Sequence, residues 1–339
     1  TYTSSFKQSL KAHPKYPNLK AVPIPVALAL FDATTGEQLV LSSDALFEDN
    51  VKDGMYLFDT DTASITFTNV ATQPVVSLLR NFSAPVNLEF NYSDEQLAFL
   101  LRYETNGFNQ WQASQTLLEN ILLKDHNAQV YLDAISAPDF LGKLISTDPL
   151  LVSRLFDVPT EGYLASRIDQ NYNPLVIKEK REALLNAVAT IFKGFWKNVY
   201  QVLDEPEDFS QAMGVRAVKN IALSMMARQG DDEVFTLAEA QYRTTKNMSL
   251  RLGALKVLVW NDAPQAESAL IDFYLRFKDE ALSMDQWFMI QAAHPKADAD
   301  TIAYLTSHPD YDLAVPNRIR SVSGGLNANP VNTWSFGVQ

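Results

Sequence analysis

The stretch VPNRIRSVSGGLNANP, residues 315–330, gathers side chains that can do chemistry. Arg318 and Arg320 offer two guanidinium groups two residues apart, Asn317 an amide, and Gly324 and Gly325 two positions without a Cβ. The question such a set raises is whether it forms a loop that cradles a phosphate. A phosphate loop needs G-x-x-x-x-G-K-[ST], and a dinucleotide fold needs G-x-G-x-x-G after a strand. The two glycines satisfy neither. They follow a helical pattern, where they are expected to supply a left-handed C-cap. Residues two apart on a helix lie on different faces, so one arginine can lie in a structural ion pair while the other points to a cavity; the alternative is a structural role for both.

The remaining candidates carry less. Of the four histidines, His13, His126, His294 and His308, three directly precede proline, and none has another histidine at metal-ligand spacing. They read as loop or helix-end residues, and no metal site is expected. DTDTAS, residues 59–64, has two acids at calcium-loop spacing, but it lacks the glycine at position six and has Val70 where the closing glutamate belongs. It reads as a turn. DADT at 298–301 reads as a helix start, with acids favoured by the helix dipole. The acidic runs DEPEDF and GDDEVF could hold a glycosidase pair only if the fold set two carboxyls across a cleft; as charge runs between helices they read as solvated surface. No G-x-S-x-G elbow is present. No catalytic residue is therefore expected in this chain.

Composition narrows the class further. A net charge of −12 argues against nucleic acid and anionic membrane surfaces as partners, since both need a cationic footprint. The absence of cysteine excludes disulfides, thiolate metal sites and a cysteine nucleophile. No apolar run approaches the roughly 20 residues that span a bilayer, and the opening TYTSSFKQSL lacks a hydrophobic secretory core.

Two kinds of element must position these residues. Up to about residue 92, short runs alternate with period two: Val26, Leu28 and Leu30; Ile65 and Phe67; Val86, Leu88 and Phe90. Six or seven such strands in about 90 residues predict a small antiparallel β-sandwich of Ig-like type. Pro23 and Pro25 cannot donate to a ladder, so their strand is expected to begin at an edge. From Ser93 the pattern is helical. Ser93 with Gln96 forms a capping box, and Ser283 with Gln286 is expected to form a second ahead of WFMIQAAHP. Phe108, Trp111, Leu118 and Leu122 recur at helical spacing, and Leu184, Val188, Ile191, Phe195 and Val199 form one long stripe. About ten to twelve helices between 93 and 310 predict an array of antiparallel pairs, a superhelix of HEAT or ARM type. The expected domains are therefore a β-sandwich over 1–92 and a helical domain over 93–339.

Several segments together resemble a family. FSAPVNLEFNYSDEQLAFLLRYETNGFNQWQASQTLL, residues 82–118, is similar to the junction of the third and fourth domains of bacterial aminopeptidase N, a zinc metallopeptidase of the gluzincin type. IPVALALFDATTGEQLVL and QPVVSLLRNFSAP resemble that family's β-sandwich; MDQWFMIQAAHP and VPNRIRSVSGGLNANP resemble its C-terminal helical domain, in the same order. The resemblance runs from about residue 2 to 330. The middle, roughly 125–240, matches only loosely, and KNMSLRLGAL departs from the family's usual Asn-Met-Thr-Asp, which puts a polar role there in doubt.

The resemblance implies that chemistry resides upstream. In the family a thermolysin-like domain binds zinc through His-Glu-x-x-His and a later glutamate, and a Gly-x-Met-Glu-Asn loop captures the substrate's amino group. Neither motif occurs in this chain. The expectation is thus a non-catalytic C-terminal part, holding no cofactor itself, whose partners are the catalytic domain of the same polypeptide and its peptide substrates. The helical array would wall the active-site cavity and the β-sandwich would act as spacer. NPVNTWSFGVQ would reach only the middle of the family's helical domain, and the location would be the bacterial cytoplasm. By matching within NRIR, Arg320 is expected to face the catalytic domain or the substrate channel, with Asn317 and Arg318 as weaker candidates for the same wall. The alternative is a free-standing helical-array module that binds a peptide or protein.

Overall fold

The structure is a computed structural model and describes residues 1–10, 15, 20–47, 52–168, 173–230, 232–329 and 331. His13 and the stretch from 332 onward, on which the expectation of absent last helices rests, lie outside the described residues. The chain forms two compact units, residues 1–118 with 127–141, and residues 119–126 with 142–339.

In the first unit the period-two segments pair as two small antiparallel sheets. β1 (Tyr2–Lys7) pairs with β4 (Thr62–Phe67), while β2 (Ile24–Asp32) lies between β3 (Gly54–Phe58) and β5 (Pro74–Leu78). Ile65 and Phe67 are fully buried while Ser64, Thr66 and Thr68 are exposed, as the alternation requires. They join Val26, Leu28, Leu30, Phe58 and Val76 in one core. β2 is the central strand, yet its proline-bearing half has a single neighbour. Pro25 sits opposite Leu57 of β3, and β5 joins only from Leu28 onward. The Ala27 N–H is satisfied instead by the Ser83 hydroxyl at 3.0 Å. DTDTAS is the turn into β4 together with the first three residues of that strand.

Five strands form among the described residues, fewer than the six or seven expected. Val86, Leu88 and Phe90 make no strand and remain 39%, 39% and 42% exposed. The segment is fastened by a side chain rather than a ladder: the Tyr92 hydroxyl donates to the Val76 carbonyl at 3.0 Å. A period-two pattern forms a strand only where a sheet edge receives it.

Helices follow directly. α1 (Asp94–Tyr103) opens on the expected capping box, with the Ser93 hydroxyl accepting from Gln96 N–H and the Gln96 side chain accepting from Ser93 N–H. α2 (Gly107–Lys124) buries Leu117, Leu118, Ile121 and Leu122, and α3 (Ala128–Ile135) packs on α1. Buried Arg80 bonds Glu104 Oε1 at 2.5 Å and Thr105 at 2.8 Å, which ties the end of β5 to the loop after α1.

Then come α4 (Phe140–Thr147), α5 (Pro149–Leu155), α6 (Glu161–Ser166), α7 (Pro174–Ile191) and α8 (Lys193–Val202). The second half holds α9 (Phe209–Ala227), α10 (Asp232–Thr244), α11 (Met248–Trp260), α12 (Ala266–Phe277), α13 (Ala281–Ala292), α14 (Ala299–Thr306) and α15 (Pro316–Asn327). In the second unit α9 packs on α5, α7, α8 and α11, α11 on α10 and α12, and α13 on α12, α14 and α15. Contacts between near neighbours in the chain are the mark of a helical array. No described helix is long and apolar enough to cross a membrane.

Three helical expectations are corrected. Among the described residues fourteen helices, not ten to twelve, lie between Asp94 and Thr306, because helices as short as α3 to α6 cannot display a repeating stripe. The stripe from Leu184 to Val199 is two helices broken at Phe192 (φ −99°, ψ 20°), which leaves Ile191 50% exposed. The break lets Phe192 and Trp196 pack with Phe156, whose ring lies edge-on 4.6 Å from Trp196. Ser283 with Gln286 is not a capping box: α13 begins two residues earlier, and buried Ser283 donates to Glu280 Oε2 at 3.1 Å.

Gly324 and Gly325 are not a left-handed cap either. Both lie inside α15, whose C-cap is right-handed Ala328. A Cβ at Gly325 would meet the Ala292 Cβ at 2.8 Å and the Met289 carbonyl at 3.0 Å, so this glycine lets α15 approach α13; at Gly324 there is open space. Gly325→Ala is expected to destabilise the chain by about 1–3 kcal/mol through overpacking. Gly324→Ala should stabilise it by about 0.5–1 kcal/mol. Urea melts of the two variants, with opposite signs, check this.

Candidate functional site

α15 starts where the sequence permits. Pro316 presets the helical φ at the first position, where its missing N–H would have had no intrahelical partner. The next turn sets Arg318 and Arg320 on different faces, and the structure gives them different tasks.

Arg318 is 7% exposed. Its Nε donates to Asp285 Oδ1 of α13 at 2.7 Å, its Nη1 donates to the Asp310 carbonyl, and its guanidinium lies 5.0 Å from the centre of the Phe288 ring. Asp310 is itself held: its carboxylate accepts the Tyr274 hydroxyl at 2.7 Å, and its N–H donates to His308 Nδ1 at 3.1 Å. Hydrogen bonding to Asp310 pushes the Tyr274 phenol up from its ordinary value. Arg318 thus fastens α13, α15 and the loop between α14 and α15.

Arg320 is exposed and makes no hydrogen bond or ion pair among the described residues. With Asn317 and Ser321 it lines a hollow of about 410 Å³, completed by Leu282, Gln286 and Met289 of α13 and by Met248 and Leu252 of α11. Asn317 is exposed on the same rim, and Leu282 is 75% exposed. Of the three residues singled out in the sequence, Arg320 and Asn317 meet at this hollow, while the Arg318 side chain is turned into the packing beneath it. The site can hold an anion at Arg320 beside an apolar surface.

Of the other hollow residues, Met248, Leu252 and Met289 were not singled out in the sequence, and Gln286 was singled out only as a capping partner. Each sits on a helix with no periodic mark separating a wall residue from a core residue, and three helices must come together before the hollow exists. KNMSLRLGAL supplies a cap here: the Asn247 carboxamide oxygen accepts from Ser249 N–H at 2.9 Å and opens α11.

The other candidates take structural positions. His294 accepts the Lys296 N–H on Nδ1 at 3.0 Å and has Asp262 Oδ1 3.1 Å from Nε2. The hydrogen bond from Lys296, first of all, holds the Asp262 carboxyl below its ordinary range. Asp298 and Thr301 of DADT form a capping box at the start of α14. In DEPEDF, Glu205 pairs with Arg216 at 2.8 Å and Asp208 caps α9.

Comparison with known proteins places this geometry. Residues 1–91 match the domain of unknown function DUF3458, of Ig-like fold, and residues 94–334 match DUF3458_C, which has ARM repeats. Aminopeptidase N of Escherichia coli is 30% identical over 97% of this chain. That of Caulobacter vibrioides is 28% identical over 81%, and that of Haemophilus influenzae 26% over 89%. The chain spans 38%, 33% and 35% of the length of these relatives. The fold is also that of a crystal structure of Legionella pneumophila aminopeptidase A in complex with aspartic acid, with a TM-score of 0.79 at 24% identity, covering 98% of this chain and 39% of that one. Both expected fold types, the Ig-like strands and the ARM-like helices after them, are therefore present, and the chain belongs to the DUF3458 and DUF3458_C families as a homologue of the C-terminal part of aminopeptidase N.

Proposed function

We propose that this chain is the non-catalytic C-terminal region of a zinc metallo-aminopeptidase, a bacterial cytoplasmic hydrolase that removes N-terminal amino acids from peptides. Residues 1–92 are then the spacer domain and 93–339 the helical domain. The partners are the catalytic domain of the same polypeptide and its peptide substrates, with no nucleic acid or membrane partner for a chain of net charge −12.

The observation that carries this reading is the match of 97% of the chain to part of an aminopeptidase N; the closing face is inferred from the Arg320 guanidinium, without a partner among the described residues, on the rim of a hollow faced by Leu282, Met289 and Met248. In water such a group is fully solvated and gains little. Brought against a water-excluding wall that carries a carboxylate, it makes charge-assisted hydrogen bonds of much greater strength. A catalytic domain closing on this face supplies that wall, and the carboxylate belongs to that domain or to the peptide in the channel. The enclosed cavity would admit peptides and flexible chain ends and keep folded proteins out.

Among the described residues, zinc is offered no ligand set. Both ring nitrogens of His294 are engaged, His308 Nδ1 is taken by Asp310, and among the described residues no three His, Asp or Glu gather as a ligand set. No step of the hydrolysis is assigned to them. The test is Arg320→Ala in a full-length protein: peptide turnover should fall with little change in melting temperature, and equal losses in both would assign Arg320 to folding.

A further inference from the structure

A second hollow lies across α13 from the first. Leu282 lines the first and Gln291 the second. Nine residues are two and a half turns at about 3.6 residues per turn, so the two open on opposite faces of the helix. The second has a volume of about 700 Å³ and lies between α12 and α14, with Trp287 of α13 among its lining residues.

Its rim is built in a particular way. Glu267 and Ile271 line the hollow, and Leu275 continues their every-fourth-residue stripe along α12 beyond it, one acid and two aliphatics. Ile271 is 54% and Leu275 64% exposed, and Tyr304 of α14 is 61% exposed. Surface apolar groups in such a cluster mark a contact face. Glu267 is exposed and makes no hydrogen bond or ion pair among the described residues. Asp262, also lining the hollow, is shared between His294 and Lys296. At the other end His308 accepts the Asp310 N–H on Nδ1, which puts the proton of its neutral ring on Nε2 as a donor. The groove therefore offers an unpaired carboxylate, aromatic faces, an aliphatic stripe and one fixed N–H.

We propose that this groove is a docking site for an extended peptide segment of a partner protein that carries an arginine or lysine flanked by aliphatic residues. The basic head pairs with Glu267 and stacks against Tyr304, its stem and neighbours cover Ile271 and Leu275, and a backbone carbonyl accepts from His308 Nε2–H. Charge selects this occupant over an acidic one, since the chain carries −12 overall. Its extended shape follows from the stripe running along α12 beyond the hollow itself.

The probe is acetyl-Ala-Leu-Arg-Leu-Ala-amide, titrated by calorimetry into the 339-residue chain. Its blocked ends keep it apart from any recognition of a free amino terminus, so failure here leaves the peptidase reading standing. The arginine peptide should bind, and a version with glutamate in place of arginine should not. Glu267→Gln and Tyr304→Ala should each weaken binding about fivefold, while Asp44→Asn, an exposed carboxylate in the first unit, should leave it unchanged. Both groove positions are exposed, so the variants should melt as the parent does. Equal binding of the two peptides, no binding of either, or an affinity indifferent to Glu267→Gln would overturn the proposal. Self-association in sedimentation that Ile271→Glu abolishes would assign the groove to a second copy instead.

Discussion

Replacing Arg318 by alanine lowers the stability of this chain by about 3–5 kcal/mol, because it leaves the buried Asp285 carboxylate without its partner. For a unit of this size that is a fall in melting temperature of about 10 °C. Three contacts go at once: the 2.7 Å hydrogen bond to Asp285, the bond to the Asp310 carbonyl, and the stacking on Phe288. The lone carboxylate dominates, since Asp285 is itself only 8% exposed. A double replacement separates the terms. Arg318→Met with Asp285→Leu removes both charges and keeps the volume, and it should recover most of the loss. A loss below about 1 kcal/mol for Arg318→Ala would mean that water reaches Asp285 and that the pair behaves as a surface one. Thermal melts of the single and double variants decide.

Arg320→Ala should do the reverse. Two residues away on the same helix, it removes an exposed group with no partner among the described residues, and its effect on stability should lie within about 0.5 kcal/mol. In a full-length protein the loss of a charge-assisted contact should lower kcat/KM for peptides by about tenfold or more. A rise in KM with kcat unchanged would place the contact in ground-state binding, and an equal fall in kcat and kcat/KM would place it in the transition state. Arg320→Lys should restore the charge but not the planar fork, and so only part of the rate. Parallel melts and an aminoacyl-anilide and peptide assay read both quantities. The contrast between the two arginines is the sharpest consequence of the structure.

That the two arginines lie on different faces was legible in the spacing, because residues two apart on a helix cannot share a face. Which arginine was buried was not, since the choice depends on Asp285, which lies 33 residues away on α13. Local signals read well where chemistry is local. The Ser93 capping box, the alternation at Ile65 and Phe67, and the acids opening α14 all stand in the structure. Tertiary partners decided the rest. Val86, Leu88 and Phe90 had the pattern of a strand, yet they pair with no strand among the described residues. Leu184 to Val199 had the spacing of one helix, yet burial of Phe192 and Trp196 against Phe156 broke it in two. Gly325 looked like a terminator, and its close approach to Ala292 makes it a packing residue. The hollow around Arg320 draws on α11, α13 and α15, so no single stretch of sequence could display it.

The central claim, that this chain works as one part of a larger peptidase polypeptide, is tested most directly by the intact mass of the native gene product in its source cells. The account predicts a mass far above the 38.0 kDa of this chain, with the catalytic domain encoded upstream in the same reading frame. A native product of about 38.0 kDa would contradict it, and would point to a helical-array protein that works by binding partners alone.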